Sequence, residues 1–287
     1  MRKLFSLSFL ILVACVGDGG RVFIQNKGSD TLLNVAQSWA EAYKNVNPEI
    51  AVAVTGGGSG TGFAAMINGT VDIANASRKM KDSEIEAAHA HNIDPVEFVV
   101  GYDALAVFVH PDNPVSSLDL GQLAAIYGEG GEVNSWKQLG ITIPGCSSSE
   151  IVRVSRQNNS GTYAYFKETV LGVGGEYKLG SRDMNGSKDV VDLVQNTPCA
   201  IGYSGLAYAT ERVKKVCIAS THGGDCVNPS IPTAIDRTYP IARPLFMYTA
   251  GEPQGPVKEY LDWILSDAGQ CILQEKGYAP VSSVSCS

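Results

Sequence analysis

Residues 21–46 read RVFIQNKGSDTLLNVAQSWAEAYKNV. The first five residues, 21–25, form a short strand-like run rich in Val, Phe and Ile. Gly28-Ser29-Asp30-Thr31 is then a turn and a helix start. Beyond it, Leu32, Ala36, Trp39, Ala40 and Tyr43 recur at helical spacing until Asn47-Pro48 ends the run at residue 46. A strand, a glycine-bearing turn and a helix, in that order, are the building unit of an α/β fold.

The same unit recurs outward from this stretch. Ile50, Val52 and Val54 alternate as a strand, and Gly56-Gly57-Gly58-Ser59-Gly60-Thr61-Gly62 leads into a helix over 62–68. Residues 71–74 are a strand, and 81–91 a polar helix after the Ser77-Arg78 turn. Residues 97–110 are a long apolar strand region that Asp103 interrupts. Helices are expected at 118–127, 162–171 and 188–195, and strands at 151–154 and 200–203. Residues 217–226 read as a polar loop, 240–249 as extended chain, and 255–274 as one or two helices. The alternation predicts an α/β fold with largely parallel sheets. Ligands of such sheets sit beyond the C-terminal ends of strands, where loops enter helices.

Composition narrows the function. The 287 residues are 44% hydrophobic and 18% charged, which suits one large globular domain or two modest ones. Net charge is −7; without Arg2 and Lys3 the basic count falls from 22 to 20 against 29 acids, a net −9. An acidic chain is a poor non-specific binder of nucleic acid, and no nucleic-acid partner is expected. Met1-Arg2-Lys3 and an apolar core over 4–13 form an export signal, too short for an ordinary membrane span. Leu12-Val13-Ala14-Cys15 resembles a bacterial lipobox, in which the chain is cut before the cysteine and the cysteine is lipid-modified. Residues 1–14 are then a signal peptide and 15–20 a lipidated tether. Reserving Cys15 leaves six of seven cysteines, an even set for disulfides in an exported chain. Neighbour pairing suggests Cys217–Cys226 and Cys271–Cys286, leaving Cys146–Cys199, although six cysteines allow about 15 connectivities.

Three serine-bearing loops precede helices: the two glycine loops above, and Asn159-Ser160-Gly161-Thr162 with Arg156 four residues before its serine. Singly, each is a helix cap or turn. Together they offer hydroxyls, backbone N–H groups and helix N-termini, the donors a tetrahedral anion needs. Arg156 adds a charged fork matched to two oxygens. Hydrogen bonds to a charged group contribute roughly 1.5–3 kcal/mol each, so several reach micromolar affinity, about −8 kcal/mol.

Enzyme motifs fit poorly. The 56–62 run lacks the GK[ST] of a nucleotide P-loop, and Ser59 lacks the GxSxG context because Thr61 takes the last position. His89, His91, His110 and His222 show no metal-ligand spacing beyond a His89/His91 pair on a polar helix, and no CxxC is present. No general base for a loop serine is evident. No catalytic residue, metal or cofactor is expected.

Over nearly all of 21–280 the chain resembles the phosphate-binding proteins of bacterial phosphate-uptake ABC transporters, the PstS type. The carriers are Lys27-Gly28-Ser29-Asp30-Thr31-Leu32, Gly57-Gly58-Ser59-Gly60-Thr61-Gly62, Asp72-Ile73-Ala74-Asn75-Ala76-Ser77-Arg78, Arg156-Gln157-Asn158-Asn159-Ser160-Gly161-Thr162 and Ala200-Ile201-Gly202-Tyr203. The resemblance implies a two-lobed periplasmic-binding-protein fold of type II, with the ligand in the cleft between lobes. Lobe one would be 21–105 plus 242–287 and lobe two 106–241, with crossing segments near 103–108 and 237–244 as hinge. Thr31 and the Leu32 backbone N–H match the family's first-loop ligands, Ser59 the second, and Arg156, Ser160, Gly161 and Thr162 the third. Ser29 is added on chemical grounds, with Ser77, Arg78 and Asp103 as further candidates.

One position departs from the family pattern. Many members have an aspartate where this chain has Arg78, and it accepts a hydrogen bond from the protonated phosphate oxygen. A lone acceptor facing sulfate, which carries no proton, is costly. Arg78 is expected either to contact the anion or to pair with Asp72 or Asp103, and Asp103 is the leading candidate for the displaced acceptor. The implied function is a monomeric, membrane-anchored lipoprotein, exported to the periplasmic or cell-surface side, that delivers inorganic phosphate to an ABC permease and ATPase. The alternatives are a receptor for sulfate, arsenate or molybdate, a phosphatase-like enzyme on the same fold, and a lipoprotein that senses phosphate.

Overall fold

The computed structural model describes residues 21–286; the expected signal segment, Cys15 and the tether lie outside the described residues. Val22–Gly28 (β1), Asp30–Val46 (α1), Ile50–Thr55 (β2), Ser59–Ile67 (α2), Ile73–Ala76 (β3) and Asp82–Ala90 (α3) form a first layered unit. Val96–Val109 (β4) then leads away. Ser117–Asp119 (β5), Leu120–Tyr127 (α4), Val152–Arg156 (β6), Gly161–Phe166 (α5), Arg182–Met184 (β7), Ser187–Gln195 (α6), Ala200–Gly205 (β8), Lys214–Ala219 (β9), Cys226–Val227 (β10) and Ile231–Ile235 (α7) form a second. Ala242–Thr249 (β11) returns, and Gly255–Leu265 (α8) and Asp267–Glu275 (α9) pack on the first unit.

The strand order is β2-β1-β3-β11-β4-β8-β6-β7. β1 is parallel to β2 and β3, and β6 to β7 and β8. β4 and β11 run antiparallel to their neighbours, so the sheets are mixed rather than largely parallel. The chain crosses between units twice, once in each direction, and two such strands side by side must be antiparallel. β4 pairs with β11 over Val96 to Ala104 and with β8 over Leu105 to Val109. Asp103 therefore does not interrupt the strand. Its register partner on β11 is Arg243, and a paired charge is tolerated where a lone one is not.

Each sheet is covered on both faces, and the strands show it residue by residue. On β11, Leu245 and Met247 join the cluster under α1, α8 and α9, while Phe246 and Tyr248 join the one under α2 and α3. On β4, Leu105, Val107 and Val109 face the α4 side, and Ala106 and Phe108 face α6. A strand buried on both faces reads as a continuous apolar run, as 104–109 does. Helix α1 buries Leu32, Val35, Ala36, Trp39 and Tyr43 along one stripe, the 3.6-residue period of a helix against a sheet.

Two further expectations change. Helix α2 starts at Ser59, three residues before the expected 62, because Gly58 at φ 92° turns the chain and accepts the N–H groups of Thr61 and Gly62. Residues 217–226 are not simply a loop: β9 runs to Ala219 and pairs antiparallel with β10. Disulfides join Cys146–Cys199, Cys217–Cys226 and Cys271–Cys286, the pairing the sequence suggested.

Candidate anion-binding site

The C-terminal ends of β1, β2 and β6 deliver the three loops to one place, and that of β3 delivers Ser77. Ser29 caps α1, Gly58 precedes α2, and Ser160 caps α5. Ser29 Oγ donates to Ser77 Oγ at 2.9 Å, and the Ser77 N–H donates to Ser59 Oγ at 3.1 Å. From the opposite unit, Ser160 Oγ accepts the N–H groups of Thr162 at 3.2 Å and Tyr163 at 3.4 Å. Thr31 Oγ1 and Thr162 Oγ1 meet at 3.0 Å. Ser29, Thr31, Ser59, Ser77, Ser160 and Thr162 are all buried.

Gly161 lies directly against this cluster. A Cβ there would stand 2.3 Å from Ser59 Oγ and 2.6 Å from Ser77 Oγ, so only glycine lets the α5 backbone come so near the hydroxyls. Among the described contacts, the hydroxyls of Ser59, Ser77 and Ser160 only accept. A hydroxyl has one proton to give, so three protons remain for a ligand. None of these serines has a His or carboxylate partner among the described contacts, and the described residues contain no cluster of three metal-ligating side chains.

The charged residues arrange differently from expectation. Arg156 spends its donors on protein: Nη2 on Asp30 Oδ2 at 2.9 Å and on the Asn185 carbonyl at 2.7 Å, Nη1 on Ser187 Oγ at 3.0 Å, and Nε on the Met184 carbonyl at 3.3 Å. It bridges the two units rather than holding a free fork into the cluster. Arg78 pairs neither with Asp72 nor with Asp103. It makes a two-pronged contact with Glu84, at 2.6 and 2.7 Å, over the ring of Phe63; Glu84 opens α3 six residues on, the nearest carboxylate in reach. Asp72 instead accepts the Gln25 N–H. The Leu32 N–H, expected to face the anion, donates to the Ser29 carbonyl at 3.1 Å in the first turn of α1.

Asp103 lies behind Arg243. Its Oδ2 accepts from Arg243 Nη2 at 2.8 Å and Nε at 3.1 Å, and its Oδ1 from the Leu206 N–H at 3.3 Å. It is thus one side chain removed from the hydroxyls, not an acceptor turned toward them. Burial pushes Asp103 up and Arg156 down from their ordinary pKa values, both toward neutrality, while Arg243 and Asp30 respectively oppose it.

Asp30, Arg243 and Asn159 also build the site, although the sequence assigns none of them a role in it. Asn159 closes the units: Gly60 N–H donates to its carbonyl at 3.0 Å, and its Nδ2 donates to the Gly57 carbonyl at 3.0 Å. Arg243 carried a signal in hindsight. It and Asp103 are opposite charges inside the buried, largely apolar parts of two strands, and buried charges need each other. A cavity of about 990 Å³ opens beside the cluster, bordered by Arg78, Lys79, Lys81, Lys167 and Arg243 against Asp82 and Glu168. Four of these cations are paired: Arg78 with Glu84, Lys79 with Glu97, Lys167 with Glu176 and Arg243 with Asp103.

The profile of the PBP superfamily domain matches residues 18–268. The phosphate-binding protein PstS of Pseudomonas aeruginosa is 36% identical over 270 residues, covering 90% of this chain and 83% of that protein. PstS of Bacillus subtilis is 31% identical over 261 residues, covering 90% and 80%. A substrate-binding protein from Clostridium perfringens, solved with bound phosphate, superposes with a TM-score of 0.79 at 29% identity, over 91% of this chain and 100% of that one. Loops, crossing strands and relatives agree: the chain belongs to the PBP superfamily and, within it, to the family of PstS phosphate-binding proteins.

Proposed function

We propose that this chain captures inorganic phosphate in the cleft between its two lobes and delivers it to an ABC import permease. One observation carries the reading. Hydroxyls from two opposed units, Ser29, Thr31, Ser59 and Ser77 on one side and Ser160 and Thr162 on the other, converge with four protons unspent: one each on Ser59, Ser77 and Ser160 and one on the Thr31–Thr162 pair. Such a site is complementary to a ligand made of acceptors. The phosphate-binding names of the relatives support the same ligand.

Lobe one comprises 21–105 and 242–287, and lobe two 106–241. The change of partner along β4, from β11 at Ala104 to β8 at Leu105, supports that division. Capture follows lobe closure, which brings Gly161 onto Ser59 and Asn159 onto the 57–60 loop. The protein is exported and anchored as a monomer through a lipid on Cys15, and it acts as a receptor rather than an enzyme. Anchoring keeps the loaded form near its permease.

A second reading is favoured by one feature: the carboxylates nearest the cluster, Asp30 and Asp103, are engaged by Arg156 and Arg243. With both carboxylates engaged, the charge repulsion that a free carboxylate would exert on sulfate is reduced. Calorimetric titration of protein unfolded, dialysed and refolded to strip bound anion decides between them. Tight phosphate binding without sulfate heat is expected. Comparable binding of both would replace phosphate with a general oxyanion as ligand, and binding of neither would remove the receptor reading.

A further inference from the structure

Arg243 and Asp103 are fully buried, face each other in register across the two strands that join the lobes, and touch the cluster from behind. Arg243 Nη2 lies 3.1 Å from Thr31 Oγ1 and 3.1 Å from Thr162 Oγ1, and Nη1 donates to the Ser77 carbonyl at 3.2 Å. A guanidinium can only donate. One Nη2 proton goes to Asp103 and the other is shared between the two threonine oxygens, which leaves the threonines' own protons to be given elsewhere. The two hydroxyls share one proton across their 3.0 Å contact, which leaves the other for a ligand. Thr31 lies in the first turn of α1 in one lobe and Thr162 in α5 of the other, so Arg243 can hold both only when the lobes are together.

We propose that Arg243 is a positioning residue of the anion cleft, orienting Thr31 and Thr162 as donors in the closed form, and that Asp103 is the counter-charge that sets how much positive charge a bound anion meets. The proposal rests on the phosphate-receptor reading above. Solvent screens a fully buried pair little, so removing either partner changes the field at the cluster. Without Asp103 the guanidinium lacks its counter-ion, and a bound dianion takes over part of that role. Without Arg243 the anion loses oriented donors and meets the carboxylate behind them.

The test is the phosphate-induced rise in Tm, read beside calorimetric affinity, for the wild type, Asp103→Asn, Arg243→Gln and Arg243→Lys. Asp103→Asn is expected to melt lower without phosphate and to show a larger phosphate-induced rise than the wild type. Arg243→Gln is expected to show a smaller rise and phosphate binding weaker by roughly 10- to 100-fold. Arg243→Lys keeps the charge but not the fork. It should weaken phosphate less than the glutamine variant, and adding Thr162→Val to it should cost less than in the wild type. This lysine series decides the matter if Asp103→Asn fails to fold. A merely structural ion pair would lower Tm in every variant and leave the phosphate-induced rise and the additivity unchanged; that result, with the wild type binding phosphate, overturns the proposal alone. A wild type that binds no phosphate overturns the receptor reading and this proposal with it.

Discussion

At the scale of the residue, single atoms decide whether the cleft can close on a ligand. Gly161→Ala would push a methyl to within 2.3 Å of Ser59 Oγ. Phosphate affinity should fall by roughly 100-fold or more, since the clash costs several hydrogen bonds to the anion at once, while the unfolding midpoint should move little because the lobes can part. Calorimetry beside thermal melts checks both. Arg156→Ala acts by another route. It leaves Asp30 buried and unpaired at the cleft wall, a loss of about 3–5 kcal/mol in stability, and places an uncompensated negative charge where the anion belongs. Adding Asp30→Asn to that variant should restore much of the melting temperature and part of the phosphate affinity. Unchanged affinity in Arg156→Ala would remove Arg156 from the site altogether.

At the scale of the element, α3 is tied to the cleft rim by one pair. Burial works against the charge on Glu84, but the hydrogen bonds from Arg78 and the Lys81 N–H outweigh it and hold the carboxyl below its ordinary value. The sign follows from linkage: a depressed carboxylate contributes stability above its unfolded pKa and loses it as pH falls through the folded one. Acid should therefore loosen α3 and free Arg78 as pH falls below the ordinary glutamate range. Hydrogen exchange of α3 amides across that range should show increasing opening in the wild type and a flat response in Glu84→Gln. The helix boundaries teach a related lesson. Apolar periodicity located α1 and α6 to within a residue, but α2 begins three residues early because Gly58 turns the chain ahead of its apolar stripe. Short pieces such as β5, β7 and α7 carry too few residues for any period to register.

At the scale of the whole molecule, three disulfides and two crossing strands hold the lobes' architecture. Cys146–Cys199 closes a separation of 53 residues and Cys217–Cys226 one of 9. Loop entropy makes the first worth about 4 kcal/mol and the second about 2.5. Replacing each pair by serines should lower the midpoint of denaturant unfolding in that order, at similar denaturant dependence; the reverse order would mean that local packing, not loop closure, governs their contributions.

By itself the sequence determined the alternation of strands and helices and the loops that carry the serines, and it suggested the disulfide pairing by neighbours that the structure shows. Each of these is written in local order: a period, a spacing, a run of glycines ahead of a helix. Which charge meets which was decided only by tertiary structure. Asp30 and Arg156 stand 126 residues apart, and Asp103 and Arg243 stand 140 apart. Arg78 is the exception, since its partner Glu84 stands only six residues on. Electrostatic partners follow distance in space, and that distance is set by the crossing of two strands and the meeting of two lobes, which no local pattern encodes.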